Sequence, residues 1–332
     1  MVKLYDFAII GGGCAGFAGA MYAGRLGLKT IIFSETTGGT IILTDKVENY
    51  PGIKSTTGKG LADALKEHAL EYPVELVEEK IEKVERCGKT FKLFYKGKSI
   101  ESKTVLFATG TKWRKLGVPG EEEYKNRGVH YCALCDGYFY KGKKIAVVGG
   151  GDSACKEAIQ LTEFGDVAML VRNRLKAEPV NLKRYEGKKN TKIVLGVVVK
   201  EILGDGKKVT GVTVVDKAGK ESKMEFDAVF VEIGHIPLSE LAIAIGVNVD
   251  EHNEIIINRN AETNVPGVYA AGDVCDTRFK QAITGVAEAV TASYSAFQYI
   301  GENEILPCGE GNGNKPAFEG MPAIAHPEKL EK

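Results

Sequence analysis

Two segments of the chain repeat one pattern, and that pattern limits the folds open to the sequence. Residues 5–35 read YDFAIIGGGCAGFAGAMYAGRLGLKTIIFSE, and residues 143–174 read KKIAVVGGGDSACKEAIQLTEFGDVAMLVRNR. In each, an apolar strand leads into three close glycines, a helical segment with small residues and a second apolar strand, which is the order of a β-α-β unit. Since 332 residues exceed one ordinary core, we expect two domains of this α/β type.

The glycines of both units have the spacing that binds the diphosphate of a dinucleotide. The first glycine allows a tight turn, the second lets the diphosphate approach the backbone, and the third lets helix and strand pack closely. The N–H groups and dipole of the following helix then favour the anion. A tight strand-to-helix turn without a ligand is the alternative. The three positions are Gly11, Gly13 and Gly16 in the first unit, and Gly149, Gly151 and Ala154 in the second.

The ends of the second strands distinguish the two units. Glu35 lies 19 residues after Gly16, where an acidic residue usually binds ribose hydroxyls. The matching stretch of the second unit has no acid but carries Arg172 and Arg174, and an arginine there binds the 2′-phosphate of NADPH. A pair of solvated surface charges is the alternative for these arginines. Two dinucleotide sites in one chain predict a flavoprotein that takes hydride from a nicotinamide cofactor.

A third segment, GVYAAGDVCD, predicts part of the flavin site. Its strand ends at an acid, Asp273, and a helix follows from about Gln281. A carboxylate beside helix N–H groups suits a ribityl chain and a flavin carbonyl. A plain strand-turn-helix is the alternative.

The stretch VHYCALCDGYFY places Cys132 and Cys135 two residues apart, followed at once by Asp136. A zinc site needs four ligands, and no second pair of this spacing occurs in the sequence. A purely structural disulfide would close too small a loop to stabilise the fold much. A redox pair fits best, because a helix that begins at Cys132 would favour its thiolate. Asp136 would then protonate a leaving thiolate, or else be a turn residue before Gly137.

Composition excludes some classes of partner. Lys+Arg and Asp+Glu are both 44, so no global basic field attracts nucleic acid or an anionic membrane. No run of about 20 apolar residues predicts a membrane span, and the first strand does not read as a signal peptide. The seven cysteines are odd in number and scattered, unlike a secreted disulfide framework, so a reducing cytoplasm is expected.

With these motifs in order, the chain resembles the low-molecular-weight thioredoxin reductases over roughly residues 5–300. The resemblance rests on GGGCAGFAGA, VENYPG, ATGT, CALCDGYFYKGK, VVGGGDSA, IGHIP and GVYAAGDVCDTRFKQAITG. It implies two Rossmann-like domains: a FAD domain split into residues 1–112 and 239–332, and an inserted NAD(P)H domain, residues 113–238, that carries the dithiol. It also implies a homodimer with non-covalent FAD, rotation of the NADPH domain, and reduction of thioredoxin or a similar small protein.

The resemblance implies a role for each matched position. Cys135 would face the flavin, Cys132 would attack the disulfide of the partner protein, and Asp136 would be the acid/base. The first glycine set would receive the FAD diphosphate, and the second set, with Asp152 and Ser153, the NADPH diphosphate. The remaining cofactor-binding positions are Glu35, Gly39, Thr40, Asn49, Thr109, Gly110, Gly272, Asp273, Lys280, Gln281 and Ala282.

Departures from the family pattern bear on the cofactors. The family binds the 2′-phosphate with His-Arg-Arg and a further Arg, whereas residues 171–176 read VRNRLK, so NADH is an alternative donor. Thr40 replaces a usual glutamine and Lys280 a usual arginine near the expected FAD. Some relatives take electrons from ferredoxin or a deazaflavin and have damaged NADPH motifs; the intact GGGDSA argues against that donor and the reduced arginine motif for it. A non-catalytic nucleotide-binding protein is a third hypothesis.

Other residues receive simpler interpretations. Cys14, Cys155 and Cys275 are expected to be small core residues. His235, in IGHIP, is either near the flavin and dithiol or a turn histidine. Cys308 stands alone in a glycine-rich stretch, so we expect no second redox centre there, and the tail from about Glu302 is expected to be loop or an arm on a partner subunit.

Overall fold

The computed structural model describes residues 3–44 and 46–308. Most of the predicted tail therefore lies outside the described residues. The elements of the first part of the chain are β1 (Leu4–Ile10), α1 (Cys14–Arg25), β2 (Thr30–Phe33), α2 (Gly58–Leu70), β3 (Val74–Val77), β4 (Lys83–Cys87), β5 (Thr90–Tyr95), β6 (Lys98–Phe107) and β7 (Thr111–Trp113).

The middle of the chain carries a second run of alternating strands and helices. Its elements are β8 (Val129–His130), α3 (Ala133–Asp136), β9 (Lys144–Val148), α4 (Asp152–Leu161), β10 (Asp166–Val171), α5 (Pro179–Glu186), β11 (Thr191–Leu195), β12 (Val197–Gly204), β13 (Val209–Asp216), β14 (Glu221–Glu225), β15 (Ala228–Val231) and β16 (His235–Pro237). The described chain ends with α6 (Glu240–Ile243), β17 (Val268–Ala270) and α7 (Ala282–Glu302). Short 3₁₀ helices cover Gly39–Leu43 and Gly137–Tyr140.

The first and last parts of the chain build one sheet. Its order is β3-β2-β1-β6-β5-β4, with β17 also paired to β6. The end of β6 pairs in parallel with β17, whereas its beginning pairs antiparallel with β5. Residues far apart in sequence therefore share one core, and the sheet positions the first glycine turn at the carboxyl end of β1.

The last helix closes this layer over the first glycine unit. The Ser293 hydroxyl of α7 donates to the Gly19 carbonyl of α1 at 2.9 Å. A Cβ on Gly19 would lie 3.0 Å from Leu106 and 3.4 Å from Ala289, so the small residue permits close packing of α1 on α7 and β6. This explains the small residues of the predicted helix.

The middle of the chain builds a second, parallel sheet of order β11-β10-β9-β15-β8, covered by the antiparallel sheet β12-β13-β14. The predicted α/β class with Rossmann-like parallel sheets is confirmed. Between the two sheets, β7 and β16 pair antiparallel, with Trp113 opposite His235. This ribbon joins the two lobes at the two points where the chain passes between them.

Candidate active site and cofactor-binding sites

The first glycine turn has the geometry that its spacing predicts. Gly11 has φ +117°, and a Cβ there would stand 2.1 Å from the Ala108 carbonyl oxygen. A Cβ on Gly16 would stand 1.8 Å from the Gly11 carbonyl oxygen, so both positions exclude larger residues. A Cβ on Gly13 would instead make only an ordinary contact, 3.8 Å from the Gly39 Cα, and Gly13 is the N-cap of α1 without a side-chain cap. The free N–H groups of α1 thus meet a cradle that fits a diphosphate.

Several predicted FAD positions come together around this turn. Gly39 lies against Gly13, because its Cβ would stand 2.9 Å from the Gly13 Cα. The Asn49 amide donates to the Gln281 side-chain oxygen at 2.9 Å, and Gln281 is the N-cap of α7. The helix predicted from about Gln281 is therefore confirmed, with Ala282 as its first residue.

Two other predicted FAD positions are placed by the loop after β17. The Gly272 N–H donates to the Glu288 carboxylate at 2.8 Å. The Lys280 ammonium donates to the Asp273 carbonyl at 3.0 Å and pairs with Glu254 at 3.2 Å. Lys280 therefore braces the backbone of the loop that presents the Asp273 carboxyl.

The Asp273 carboxyl lies close to the start of α1. Burial raises its pKa above the usual range of a carboxyl. Burial, and then the charge of Asp273, raise the pKa of the Cys14 thiol to about 12. Cys14 is only half-buried, so its assignment to the core is wrong; it is the first residue of α1, near enough to Asp273 to sense its charge. Cys155 and Cys275 are buried as expected.

Two predicted FAD residues lie at the rim of this site. Glu35 follows β2, is exposed and pairs with Lys80 at 3.4 Å. Thr40 is exposed in the 3₁₀ helix after Gly39. Beneath the turn, the buried Ser34 hydroxyl has no partner among the described residues. The residues present fit a FAD whose diphosphate lies at Gly13.

The second glycine turn repeats the first. A Cβ on Gly149 would stand 2.2 Å from the Glu232 carbonyl oxygen, whereas Gly151 faces open space as the N-cap of α4. Ala154 is fully buried and Ser153 exposed. Asp152 accepts from the Glu178 N–H at 3.0 Å and the Asn181 amide at 2.8 Å. Its carboxylate therefore holds the start of α5, which sequence reasoning did not anticipate.

Arg172 and Arg174 follow β10 and are exposed. A Cβ on Gly150 would stand 3.1 Å from the Arg174 carbonyl oxygen, and the Lys176 N–H donates to the Gly150 carbonyl at 2.7 Å. The loop with both cations thus lies directly against the second glycine turn. Its position fits a nucleotide whose phosphate reaches these side chains.

The dithiol stands at the carboxyl end of the second sheet. Cys132 and Cys135 form a disulfide with Cα atoms 5.3 Å apart. Cys132 is the N-cap of α3, and its sulfur accepts from the Cys135 N–H at 3.2 Å, so the helix predicted to begin at Cys132 forms. Both cysteines are half-buried, and Tyr138 and Phe139 beside them are 64% and 47% exposed.

Asp136 belongs to a chain of polar side chains. Its Oδ2 lies 3.1 Å from Nδ1 of His130, and Nε2 of the same ring lies 2.7 Å from the Tyr140 hydroxyl. Burial, and then the charge of Asp136, raise the pKa of Tyr140 to about 12. His130 is buried, so it holds Asp136 in place and links it to Tyr140.

Sequence reasoning missed Glu157. Its Oε2 accepts from the Ala133 N–H at 2.8 Å, one residue beyond Cys132. The two glycine units of the sequence could have pointed to this residue. Aligning them places Glu157 opposite Gly19, and a charged residue there departs from the small-residue pattern.

The ribbon between the lobes places the remaining predicted positions. The Thr109 hydroxyl donates to the Leu238 carbonyl at 2.6 Å, and the Leu238 N–H donates to the Gly110 carbonyl at 3.0 Å. Gly110 has φ +68°, which favours glycine. In β16, partial desolvation lowers the pKa of His235, and the charges of Asp273 and Glu157 oppose that shift. His235 is nevertheless exposed, and its ring lies beside Trp113 with the ring centroids 6.4 Å apart.

Cys308 is not alone, which corrects the sequence interpretation. It forms a disulfide with Cys87 at the end of β4, with Cα atoms 5.6 Å apart. The Cys308 N–H donates to the buried Glu101 carboxylate at 2.5 Å, and Ile305 is buried. Residues separated by 221 positions gave no local signal for this pairing.

Metal sites and membrane spans are both absent from the part of the chain that the structure describes. Within residues 3–44 and 46–308, no group of three or more His, Cys, Asp or Glu side chains has the arrangement of a metal site. Over the same residues, no helix has the length and apolar character needed to cross a membrane.

Comparison with known proteins connects this site to a family. The model of the family "Pyridine nucleotide-disulphide oxidoreductase" matches residues 5–289. A thioredoxin reductase from Listeria innocua is 38% identical over 90% of this chain and 95% of its own length. One component of the alkyl hydroperoxide reductase of Pseudomonas aeruginosa is 37% identical over 89% of this chain, which spans only 58% of that relative.

A solved structure supports the same assignment. A thioredoxin reductase from Streptococcus pyogenes has a TM-score of 0.86 and 36% identity, covering 91% of this chain and 100% of that one. Membership implies a flavin and a pyridine nucleotide as cofactors. With a redox-spaced dithiol between two dinucleotide turns, the chain belongs to the pyridine nucleotide-disulphide oxidoreductase family and is an oxidoreductase of the thioredoxin reductase type.

Proposed function

We propose that the protein passes electrons from NADPH, through FAD and the Cys132/Cys135 pair, to the disulfide of thioredoxin or a similar small protein. The single observation that carries this proposal is the half-buried disulfide itself, at the edge of the sheet that also presents the second glycine turn. The exposed rings of Tyr138 and Phe139 beside it offer apolar surface to a protein partner. FAD and NADPH would supply the two electrons that reduce the disulfide.

The reduced dithiol would act by thiol–disulfide exchange. The Cys132 thiolate attacks one sulfur of the partner disulfide and displaces the other as a thiolate, forming a mixed disulfide. The Cys135 thiolate then attacks Cys132, which releases the partner as a dithiol and closes the Cys132–Cys135 disulfide. Two electrons pass to the partner and two protons complete its thiols.

The surrounding residues support proton transfer in this exchange. Asp136 follows Cys135 directly, so its carboxyl would protonate a leaving thiolate. His130, 3.1 Å from that carboxyl and 2.7 Å from Tyr140, would hold it in place and replace the proton. We assign Cys132, Cys135 and Asp136 the catalytic roles on this basis.

The loop after β10 supports NADPH as the nucleotide that donates the electrons. Arg172 and Arg174 lie against the second glycine turn, and guanidinium groups bind a 2′-phosphate by charge-assisted hydrogen bonds. NADPH is therefore the proposed donor, and NADH remains the alternative because two cations replace the larger set of the family. We further propose that the NADPH-binding lobe rotates about the β7/β16 ribbon and that the protein is a homodimer.

A second candidate partner comes from the relatives. A component of an alkyl hydroperoxide reductase is about as similar as the thioredoxin reductases, so the alternative is that the dithiol serves a peroxide-reducing system. Both candidates require the same chemistry at Cys132.

Substitution of each cysteine tests the proposal. Cys132→Ser and Cys135→Ser should keep bound FAD and flavin reduction by NADPH but lose reduction of a thioredoxin disulfide. The Cys87→Ser/Cys308→Ser double variant is the matched control, because it removes the other disulfide and should keep activity. Disulfide reduction that persists in Cys132→Ser or Cys135→Ser would refute the proposal.

A further inference from the structure

The residue directly before the dithiol, Tyr131, is anchored by both its hydroxyl and its ring. Its side chain is buried, and its hydroxyl donates to Oε1 of Glu121 at 2.9 Å. Its ring stacks on Trp113, with the ring centroids 5.3 Å apart and the planes 20° apart. One charge-assisted hydrogen bond and one aromatic contact therefore fix this side chain.

Glu121 is a buried carboxylate that ties Tyr131 to the loop after β7. It is only 1% exposed. Its Oε1 also accepts from the Leu116 N–H at 2.9 Å, and its Oε2 accepts from the Gly117 N–H at 2.7 Å. Together with the Tyr131 hydroxyl, three donors offset the cost of burying the charge. The chain that leaves the ribbon between the lobes is thus fixed to the residue before Cys132.

Trp113 connects the same cluster to the ribbon itself. It is the last residue of β7 and lies opposite His235 of β16. The next residue, Arg114, donates its N–H to the Gly234 carbonyl at 3.0 Å, so the two strands are joined at this end. One contiguous set of contacts therefore runs from the ribbon, through Trp113 and Tyr131, to the dithiol.

The chain before Cys132 is anchored through two successive side chains. His130 is buried, and its Nδ1 lies 3.1 Å from Oδ2 of Asp136, whereas Tyr131 bonds in the cluster beside the ribbon. The turn that joins Cys132 to Cys135, here called the dithiol turn, begins directly after these two anchors. Anchors of this kind restrict where the Cys132 sulfur lies relative to Cys135 when the disulfide is open.

We propose that Tyr131 is a positioning residue that holds Cys132 near Cys135 in the reduced protein and couples the dithiol, through Trp113, to the ribbon between the lobes. The proposal rests on the proposed reductase function, which gives the dithiol its redox role. Holding one thiol in place lowers the conformational entropy lost when the disulfide closes. A looser anchor therefore shifts the equilibrium from the disulfide towards the dithiol.

Substitution of the two aromatic residues tests this coupling. Tyr131→Phe keeps the ring on Trp113 but removes the hydroxyl, so the equilibrium constant for closing the disulfide should fall about 3- to 10-fold, the effect of about one hydrogen bond. Trp113→Leu removes the stacked ring and should shift the equilibrium in the same direction. Trp113→Phe keeps a ring at this position and should restore most of the wild-type value.

Tyr185→Phe is the matched control. Tyr185 is fully buried in the same lobe, and its hydroxyl donates to the Val167 carbonyl at 2.8 Å and to the Lys192 carbonyl at 3.0 Å. Loss of this hydroxyl should lower the urea midpoint, as loss of a buried hydrogen bond does, and leave the dithiol equilibrium unchanged. A purely structural role of Tyr131 would give the same pattern as this control.

The equilibrium is measured in mixtures of reduced and oxidised glutathione, with full-length protein and no nucleotide present. Closing the disulfide passes two electrons and two protons from the Cys132 and Cys135 thiols to oxidised glutathione, which gives two molecules of glutathione. Acid quenching, alkylation and peptide mapping then give the fraction of dithiol.

An equilibrium that stays at the wild-type value in Tyr131→Phe, or that shifts equally in Tyr185→Phe, overturns the positioning role. An equilibrium unchanged in Trp113→Leu overturns the coupling to the ribbon. The measurement needs neither NADPH nor thioredoxin, so a wild-type protein that fails to reduce thioredoxin would refute the proposed function and not the role of Tyr131.

Discussion

Replacing Gly13 by alanine should separate FAD binding from folding. Gly13 has φ −90° and ψ −168°, a conformation that alanine adopts, and its Cβ would meet nothing nearer than the Gly39 Cα at 3.8 Å. The free energy of unfolding of the FAD-free protein should therefore change by no more than about 1 kcal/mol.

The added methyl group would occupy the space through which the FAD diphosphate approaches the N–H groups of α1. Forcing a methyl group into a filled contact costs about 1–3 kcal/mol, which corresponds to a roughly 5- to 150-fold weaker Kd for FAD. Titrating FAD-stripped protein and following flavin fluorescence measures this Kd, and urea unfolding of the same preparation measures stability.

Gly151→Ala is the matched control for this experiment. Gly151 is the N-cap of α4 and has no atom within 4 Å of its Cβ position, so alanine there should weaken NADPH binding and leave FAD binding intact. Wild-type FAD affinity in Gly13→Ala, or loss of the same cofactor in both variants, would show that the two turns do not hold two different dinucleotides.

Three further predictions concern the nucleotide that donates the electrons, the Cys87–Cys308 disulfide and the Cys14 thiol. Arg172→Ala/Arg174→Ala should raise KM for NADPH roughly 10- to 100-fold and leave KM for NADH nearly unchanged; equal KM changes for both nucleotides in steady-state assays would make these arginines plain surface charges. The Cys87–Cys308 disulfide closes a loop of 221 positions, so Cys308→Ser should lower the free energy of unfolding by about 2–5 kcal/mol, and unchanged urea midpoints in non-reducing buffer would contradict this. Burial raises the pKa of Cys14 to about 12, so this thiol stays neutral at pH 8 and should react with iodoacetamide at least about 100-fold more slowly than reduced Cys132; peptide mapping that finds equal labelling rates would contradict it.

The sequence predicts local geometry well where one residue type is required. The turn at Gly11 and Gly16 can be predicted from the sequence because a Cβ atom at either position would collide with a backbone carbonyl, of Ala108 or of Gly11, and no other residue fits. The apolar runs that predict β1 and β9 reflect buried parallel strands, which are apolar nearly throughout.

Contacts between residues far apart in the sequence could not be predicted from it. Cys87 and Cys308 meet only because β17 and α7 return to the first sheet and bring the following segment beside β4. Glu157 also reads as an ordinary helix residue, and only the packing of α4 beside the dithiol turn brings its carboxylate to the Ala133 N–H. Such contacts depend on tertiary packing, which local patterns do not record.

One anaerobic titration measures both steps of the proposed electron transfer, from NADPH to the flavin and from the flavin through the dithiol to thioredoxin. Under anaerobic conditions, NADPH is added to the purified protein while the visible absorption of the flavin is followed, and oxidised thioredoxin is then added. The proposed function predicts that NADPH at low concentration removes the flavin absorption in both the wild type and Cys132→Ser, and that oxidised thioredoxin restores it in the wild type only. A flavin that NADPH and NADH leave unchanged, yet dithionite reduces, would contradict a nicotinamide donor and favour ferredoxin or a deazaflavin.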